Sequence, residues 1–436
     1  MSDPLLSVEA ARERVLAAIA DPLPAETHAP DNALGQVLAV PVVAATDLPP
    51  WDNSAMDGYA VRAADVAAAT EDRPVRLTVI GEVPAGGVAG RTVEAGTAIR
   101  IATGAPLPGG ADAVVPVELT TPLDAGGSPL GPRGRDATGP LPLSCAVHAA
   151  VEAGSSIRRR GEDIREGSEV LAAGTPMTPA AIALAAGSGA DAVAVHRRPR
   201  VAVMATGDEV RAPGEPLGPA GIPDANGPGL RALATAAGAT VIDLGIARDD
   251  LDEVLTRLRH GIDRADAVIV AGGVSVGPYD VVKRAFEIVG RVDLWRVAVQ
   301  PGKPFAFGVA DDGPVLFGLP GNPVSGFVTF ELFVRPAIRR LAGHRRLLRD
   351  GDTGVLLDPV SKAPGRRAYL RAVAERDDAG RPVRDAGGRV RVRLAGGQGS
   401  HVLSALAAAD ALAVLPETVD SLPAGAAVDL VWLDRP

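Results

Sequence analysis

Four short apolar runs, Val201 to Met204, Val241 to Leu244, Ala267 to Val270 and Val315 to Leu319, show no alternation between apolar and polar positions. A strand with that pattern has no face to give to water, so both faces must be covered. Each run is followed by a helix-like stretch, near residues 227 to 238, 249 to 262, 279 to 289 and 323 to 342. Strand and helix in alternation predict an α/β domain with a mostly parallel sheet from Arg200 to Gly343. Such sheets bind ligands beyond the carboxyl ends of their strands. The loops that follow these four runs are therefore the first place to look for chemistry.

A chain of 436 residues exceeds what one hydrophobic core supports, and three or four domains are expected. Ser7, followed by Val8, Ala11, Val15, Leu16 and Ile19, reads as a capped amphipathic helix and not as an export signal. Arg76 to Ile80, Thr97 to Ile101 and Ala113 to Val117 are β-branched runs separated by Gly and Pro, which predicts a β-rich domain over 51–154. Thr121 to Leu143, dominated by Gly, Pro, Asp and Ser, reads as a long surface loop or disordered insert. Thr178 and Pro179 start a helix that stops at Gly187. Ala368 to Val373, Val390 to Leu394 and Ala426 to Trp432 predict a small C-terminal β domain. The division expected is 1–50 with 155–196 as an N-terminal linker domain, 51–154 β-rich, 197–345 α/β, and 350–436 a C-terminal β-barrel.

Composition excludes several classes of function. A formal charge of −9 argues against bulk nucleic-acid binding. No apolar run approaches the roughly 20 residues of a membrane helix. Cys145 is the single cysteine, which rules out an internal disulfide and a cysteine-clustered metal site and suits a reducing cytoplasm. The six histidines show no ligand spacing, so zinc is not expected. Arginine supplies nearly all the positive charge. Lys303, in Gln300-Pro301-Gly302-Lys303-Pro304-Phe305, is one of three lysines and reads either as an oxyanion donor on a constrained loop or as a solvated surface group.

The strand-end loops are rich in polar donors and carboxylates. Thr206-Gly207-Asp208-Glu209 follows the first run. Asp249 and Asp250 follow the second, and either ligate a hard cation or cap the next helix. Gly272-Gly273-Val274-Ser275 opens a loop ending at Asp280, with glycines that let backbone amides approach an anion and Ser275 as a further donor. Its spacing is neither a P-loop nor a dinucleotide fingerprint. The fourth run delivers Pro320-Gly321-Asn322-Pro323, which opens a helix. Glu209, Asp249 and Asp280 beside amide cradles and Lys303 suggest a divalent metal, magnesium by preference, handling a phosphorylated or pyrophosphate-linked compound.

These loops, together with Asp52 to Arg62, Arg100 to Pro106, Ile157 to Ile164, Pro301 to Phe307 and Gly397-Gln398-Gly399-Ser400-His401, resemble the MoeA family of molybdopterin molybdenumtransferases, which includes the C-terminal domain of gephyrin. The resemblance spans nearly the whole chain. It implies insertion of molybdate into adenylylated molybdopterin, with release of AMP and assistance from magnesium, by a homodimer. It implies a cleft shared between subunits, in which Asp57 and Thr103 of one face Glu209, Asp249 and Asp280 of the other, with Asp163 a further acidic position. It places Gly272, Gly273, Ser275, Pro320, Asn322 and Pro323 against the substrate, and assigns molybdate to Lys303, Ser400 and either Arg371, the preferred choice, or Arg366. Arg296 and Gln300 stand where relatives often carry lysine, and Pro223-Asp224-Ala225-Asn226 departs from the usual turn. Two other readings share these loops: a gephyrin-type scaffold, and the adenylyltransferase that prepares the substrate and is otherwise an expected partner.

Overall fold

The computed structural model describes residues 5–134, 139–273, 281–311 and 313–433. The first helix, α1 (Val8–Ala17), begins where Ser7 Oγ accepts from Ala10 N at 3.1 Å. Its buried face of Val8, Ala11 and Val15 joins Val201, Phe317, Phe330 and Phe333 in one core. The expected grouping of α1 with the linker domain of 1–50 and 155–196 therefore cuts across this packing. A narrow stripe of small apolar side chains gains most by covering the largest apolar surface within reach, and that surface belongs to the α/β unit.

Residues 25–50 pack with the returning segment 155–196. Ala25–His28 pairs with Val193–His196, and Val42–Val43 with Glu169–Leu171. Helix α2 (Pro179–Gly187), capped by Thr178, buries Ala181 and Ala185 in the same small core as Leu38 and Met177. Between these segments lie β1 (Gly58–Val61), β2 (Val75–Val83), β3 (Thr97–Ile101), β4 (Ala113–Pro116), β5 (Thr120–Leu123) and β6 (Ser144–Val147). They form one mixed sheet in the order β4-β1-β3-β2-β6-β5. Thr121 to Leu123, expected to be loop, are thus strand, paired antiparallel with Ser144 to Ala146. Pro122 hides the strand from a reading of composition, and β5 tolerates it because it lies at the sheet edge. Beyond it Asp124 closes a turn by accepting from Ser128 N at 2.8 Å, and Arg133 pairs with Glu71.

The α/β unit contains β7 (Arg200–Thr206), α3 (Asn226–Ala236), β8 (Thr240–Ala247), α4 (Leu251–Ile262), β9 (Ala267–Ala271), α5 (Val281–Val289), β10 (Gly290–Arg296), β11 (Pro304–Ala310), β12 (Val315–Leu319), α6 (Pro323–Thr329) and α7 (Arg335–Leu341). Its sheet runs β8-β7-β9-β12-β11-β10, the first four parallel and the last two antiparallel. Period two divides β7 between two cores: Val201 and Val203 face α1, α6 and α7, whereas Ala202 and Met204 face α4 and α5. The antiparallel strands escape the simple alternation of strand and helix, yet they carry much of the aromatic packing. Trp295 meets Phe305 and Phe307 at 5.8 and 5.5 Å, and Phe305 meets Phe333 at 4.7 Å.

The C-terminal strands β13 (Gly351–Leu356), β14 (Arg367–Ala374), β15 (Val390–Leu394), β16 (Ala411–Leu415) and β17 (Ala427–Trp432) close into a barrel through the β14–β16 pairing. Closure removes the unpaired edges that a five-stranded sheet would otherwise expose. The short strand Val299–Gln300 adds to β14, and Arg367 pairs with Glu9 of α1, which ties the barrel to the α/β unit.

Candidate functional site

After β7 the chain crosses to β8 on one side, then to β9 on the other, so the crevice expected at a switch in strand order opens at the carboxyl ends of these strands. An open cleft of about 1310 Å³ occupies that place. It is lined by the segments after β7, β9 and β12, by Asp249 beyond β8, by Asp224 to Asn226 leading into α3, and by His401 and Leu403 of the barrel. Gly272 and Gly273 sit at its floor with φ of 102° and 62°. A Cβ on Gly272 would lie 2.7 Å from the Thr206 carbonyl oxygen, and one on Gly273 2.5 Å from Val282. Both positions need glycine, which keeps backbone accessible where a ligand would approach. Ser275 and Asp280, expected in the same loop, lie outside the described residues.

The adjacent aspartates beyond β8 have separate tasks. Asp250 caps α4, accepting from Glu253 N at 2.9 Å. Asp249 lines the cleft with Glu209 and Asp224. Burial, and then the nearby carboxylates of Asp208 and Glu209, push the Asp249 carboxyl above its ordinary range. The cleft therefore concentrates negative charge on this wall. Among the described residues no group of three or more His, Cys, Asp or Glu side chains is arranged to hold a metal ion.

The opposite character appears where the barrel meets α6. Arg371, in the middle of β14, is fully buried. Its Nη2 donates to the Gly397 and Gly399 carbonyls at 3.2 and 3.1 Å, and its backbone is clasped by Gln398, whose Oε1 accepts from Arg371 N at 2.9 Å. Arg371 Nε and Nη1 are buried without a hydrogen-bond partner among the described residues, and burial depresses its pKa. Ser400 follows directly, its carbonyl accepting from Val324 N at 3.1 Å, so this loop abuts the Asn322-Pro323 turn at the cleft. Lys303 lies between Gly302, packed against Thr329 of α6, and Pro304 on the cleft wall. Arg366 is in the turn before β14, outside this arrangement.

Asp57 stands elsewhere. Its Oδ1 accepts from Thr103 N at 2.7 Å and from Thr103 Oγ1 at 2.9 Å, in a cavity of about 320 Å³ that Tyr59, Glu82 and Arg100 also line. Arg100 is held by Glu82 and by the Gly139 carbonyl at 2.8 Å, so the 121–143 segment braces this wall. The cavity and the α/β cleft have no lining residue in common. Asp163 lines neither. It lies in the exposed turn beside Leu48, next to the ion pairs of Asp47 with Arg160 and of Asp52 with Arg159.

Comparison with known proteins accounts for this layout over nearly the whole length. Residues 6–189 match the family described as "MoeA N-terminal region (domain I and II)", 202–340 the "Probable molybdopterin binding domain", and 353–433 the "MoeA C-terminal region (domain IV)". The chain is 38% identical over 408 residues to molybdopterin molybdenumtransferase 2 of Mycobacterium tuberculosis, covering 92% of this chain and 93% of that one. The chain belongs to the MoeA family. Similarity extends to the Haemophilus influenzae molybdopterin molybdenumtransferase, 33% identical over 98% of both chains. Among solved structures, a molybdopterin biosynthesis MoeA protein from Pyrococcus horikoshii superposes with a TM-score of 0.76, at 30% identity and covering 99% of this chain and all of that one.

Within this MoeA framework, some cleft residues carry no signal in the local sequence. Asn226 Nδ2 donates to the Gly321 carbonyl at 2.7 Å and joins the α3 entry to the β12 loop. Its position in an atypical turn was the available clue. Arg284 of α5 brings a positive charge to the acidic wall and forms no ion pair among the described residues. Only helix α5 lying across the cleft reveals it.

Proposed function

We propose that this MoeA-family chain is a molybdopterin molybdenumtransferase that inserts molybdate into adenylylated molybdopterin and releases AMP. One observation carries the reading: Arg371 is buried with two guanidinium nitrogens unpartnered among the described residues. A buried charge in that condition costs several kcal/mol, which a bound anion would offset. The planar fork suits a tetrahedral oxyanion, and Lys303 and Ser400 are the further donors.

The large cleft beside this pocket suits the pterin and its phosphates. Gly272, Gly273, Pro320, Asn322 and Pro323 hold the substrate in this reading, with Ser275. Magnesium fits the acidic wall, because a crowded carboxyl such as Asp249 is relieved by a divalent cation. Glu209 and Asp249 would hold it, with Asp280 the third expected ligand, and the ion would neutralise phosphate oxygens. Hydrolysis of the adenylate consumes one water, and the proton that this water loses passes to solvent. Asp57, preset by Thr103, acts from a second subunit of a homodimer, since its own chain keeps it in a separate cavity. Asp163, in the turn beside Leu48, is a supporting acid in this reading. An adenylyltransferase would supply the substrate, in the cytoplasm.

The test is AMP release and molybdenum cofactor formation from purified adenylylated molybdopterin, magnesium and molybdate. Both products together support the assignment. AMP without metal insertion would indicate a hydrolase or another oxyanion, and tight binding without turnover would favour the scaffold.

A further inference from the structure

A second basic pocket lies away from the cleft, where α7 leads into the barrel. Arg335, Arg339, Arg346 and Arg349 surround a cavity of about 180 Å³ with Asp350 and Trp432. Among the described residues two carboxylates pair with these four guanidiniums. Glu331 binds Arg349 in bidentate fashion at 2.7 and 3.0 Å and lies 3.9 Å from Arg335, and Asp350 accepts from Arg346 at 3.1 Å. Among the described residues two positive charges are left over, in a chain whose formal net charge is −9. Arg339 has the clearest excess: its Nε donates to the Arg346 carbonyl at 2.9 Å, and among the described residues it forms no ion pair.

The surroundings register this excess. Burial, helped by Arg349 and Arg339, pushes Arg335 down to about 10, and burial with Arg349 also lowers Arg339. His344 is pushed down to about 4 by burial and by Arg339 and Arg335, so it stays neutral near pH 7. Converging, partly desolvated guanidiniums short of carboxylates form a site for an anion.

We propose that this pocket is an accessory site for a tetrahedral dianion of the phosphate class, separate from the Arg371 pocket. The cavity admits the phosphate group, whether free or as the end of a monoester whose remainder stays outside. Its walls come from α7, from the 346–350 connector and from the end of β17, so an occupant ties the α/β unit to the barrel. The proposal does not depend on the molybdenumtransferase assignment.

The experiment is calorimetric titration of the full chain with inorganic phosphate, and separately with AMP, at low ionic strength. Arg339→Ala is expected to weaken phosphate binding at least tenfold, Arg339→Lys to restore part of it, and Arg371→Ala to leave the Arg339-dependent binding in place. Phosphate should raise the melting temperature of the unmodified chain and not that of Arg339→Ala. An equal loss with AMP marks a monoester as an accepted ligand, and loss with phosphate alone marks the free anion. Should Arg339→Ala fail to fold, Arg346→Ala, at an exposed position, reads the same loss. Phosphate binding unchanged by these substitutions, absent from the unmodified chain, or abolished equally by Arg371→Ala would overturn the proposal.

Discussion

Asp57 and Asp249 are both exposed aspartates beside cavities, and their settings differ in kind. Asp57 is finished locally: two Thr103 groups donate to one of its oxygens, and its cavity is small. Asp249 is unfinished, with burial and then the nearby Asp208 and Glu209 raising its pKa in a cleft four times as large (1310 against 320 Å³). The first arrangement holds a geometry, and the second stores electrostatic strain that a cation and a phosphorylated ligand would relieve. The difference teaches that one chain carries two halves of a different kind, whose cavities share no lining residue.

The most severe test joins the two halves. Asp57→Ala and Asp249→Ala should each lower turnover ~10²–10³-fold. Mixing the two inactive proteins should then restore about a quarter of the activity, because half the dimers are mixed and each has one intact site. No recovery after subunit exchange would mean that the halves work within one chain or not at all.

Next comes Arg371. Arg371→Met should weaken molybdate binding by about 10- to 100-fold, while raising the melting temperature in the absence of oxyanion, because it removes a buried charge without a partner. A fall in stability with unchanged molybdate affinity would make Arg371 a packing residue and remove the basis of the assignment.

The strain at Asp249 has a definite sign. Its pKa in the folded chain lies above the unfolded value near 3.8, so any stability gained from holding this proton is present below that value and is lost as pH rises through the folded pKa. Asp249→Asn should therefore be more stable than the parent at pH 7, by a few tenths of a kcal/mol for so exposed a group, and the gap should close in acid. Magnesium should raise the parent's melting temperature and leave the variant's unchanged. The neighbouring residue gives the contrast: Asp250→Ala should cost about 1 kcal/mol of stability by removing a helix cap, with turnover preserved. Turnover lost with Asp250→Ala would show that the two aspartates share a function.

Much of the α/β unit was legible because buried parallel strands and capped helices leave local signals. The run Val315 to Leu319 coincides with β12, and Asp250 and Thr178 cap the helices that follow them. The antiparallel strands β10 and β11 were not, since they break the alternation that identified their neighbours. Thr121 to Leu123 were obscured by an edge proline, and α1 gave its helix but not its partner. In the site, Glu209, Asp249 and the Gly272-Gly273 floor stood out from residue types at strand ends. Asn226 and Arg284 did not, because a bond to Gly321 and a place on the cleft wall are relations between distant segments.

The sequence by itself determined the element types, the strand-end position of the chemistry and the MoeA family. These depend on local periodicity, caps and short motifs, which act over a few residues. Tertiary structure alone decided that Arg371 and not Arg366 sits against the Ser400 loop, that Asp250 caps while Asp249 faces the cleft, and that Asp57 lies apart from both. Those outcomes depend on burial and on which groups desolvate one another, and neither exists until segments hundreds of residues apart are packed together.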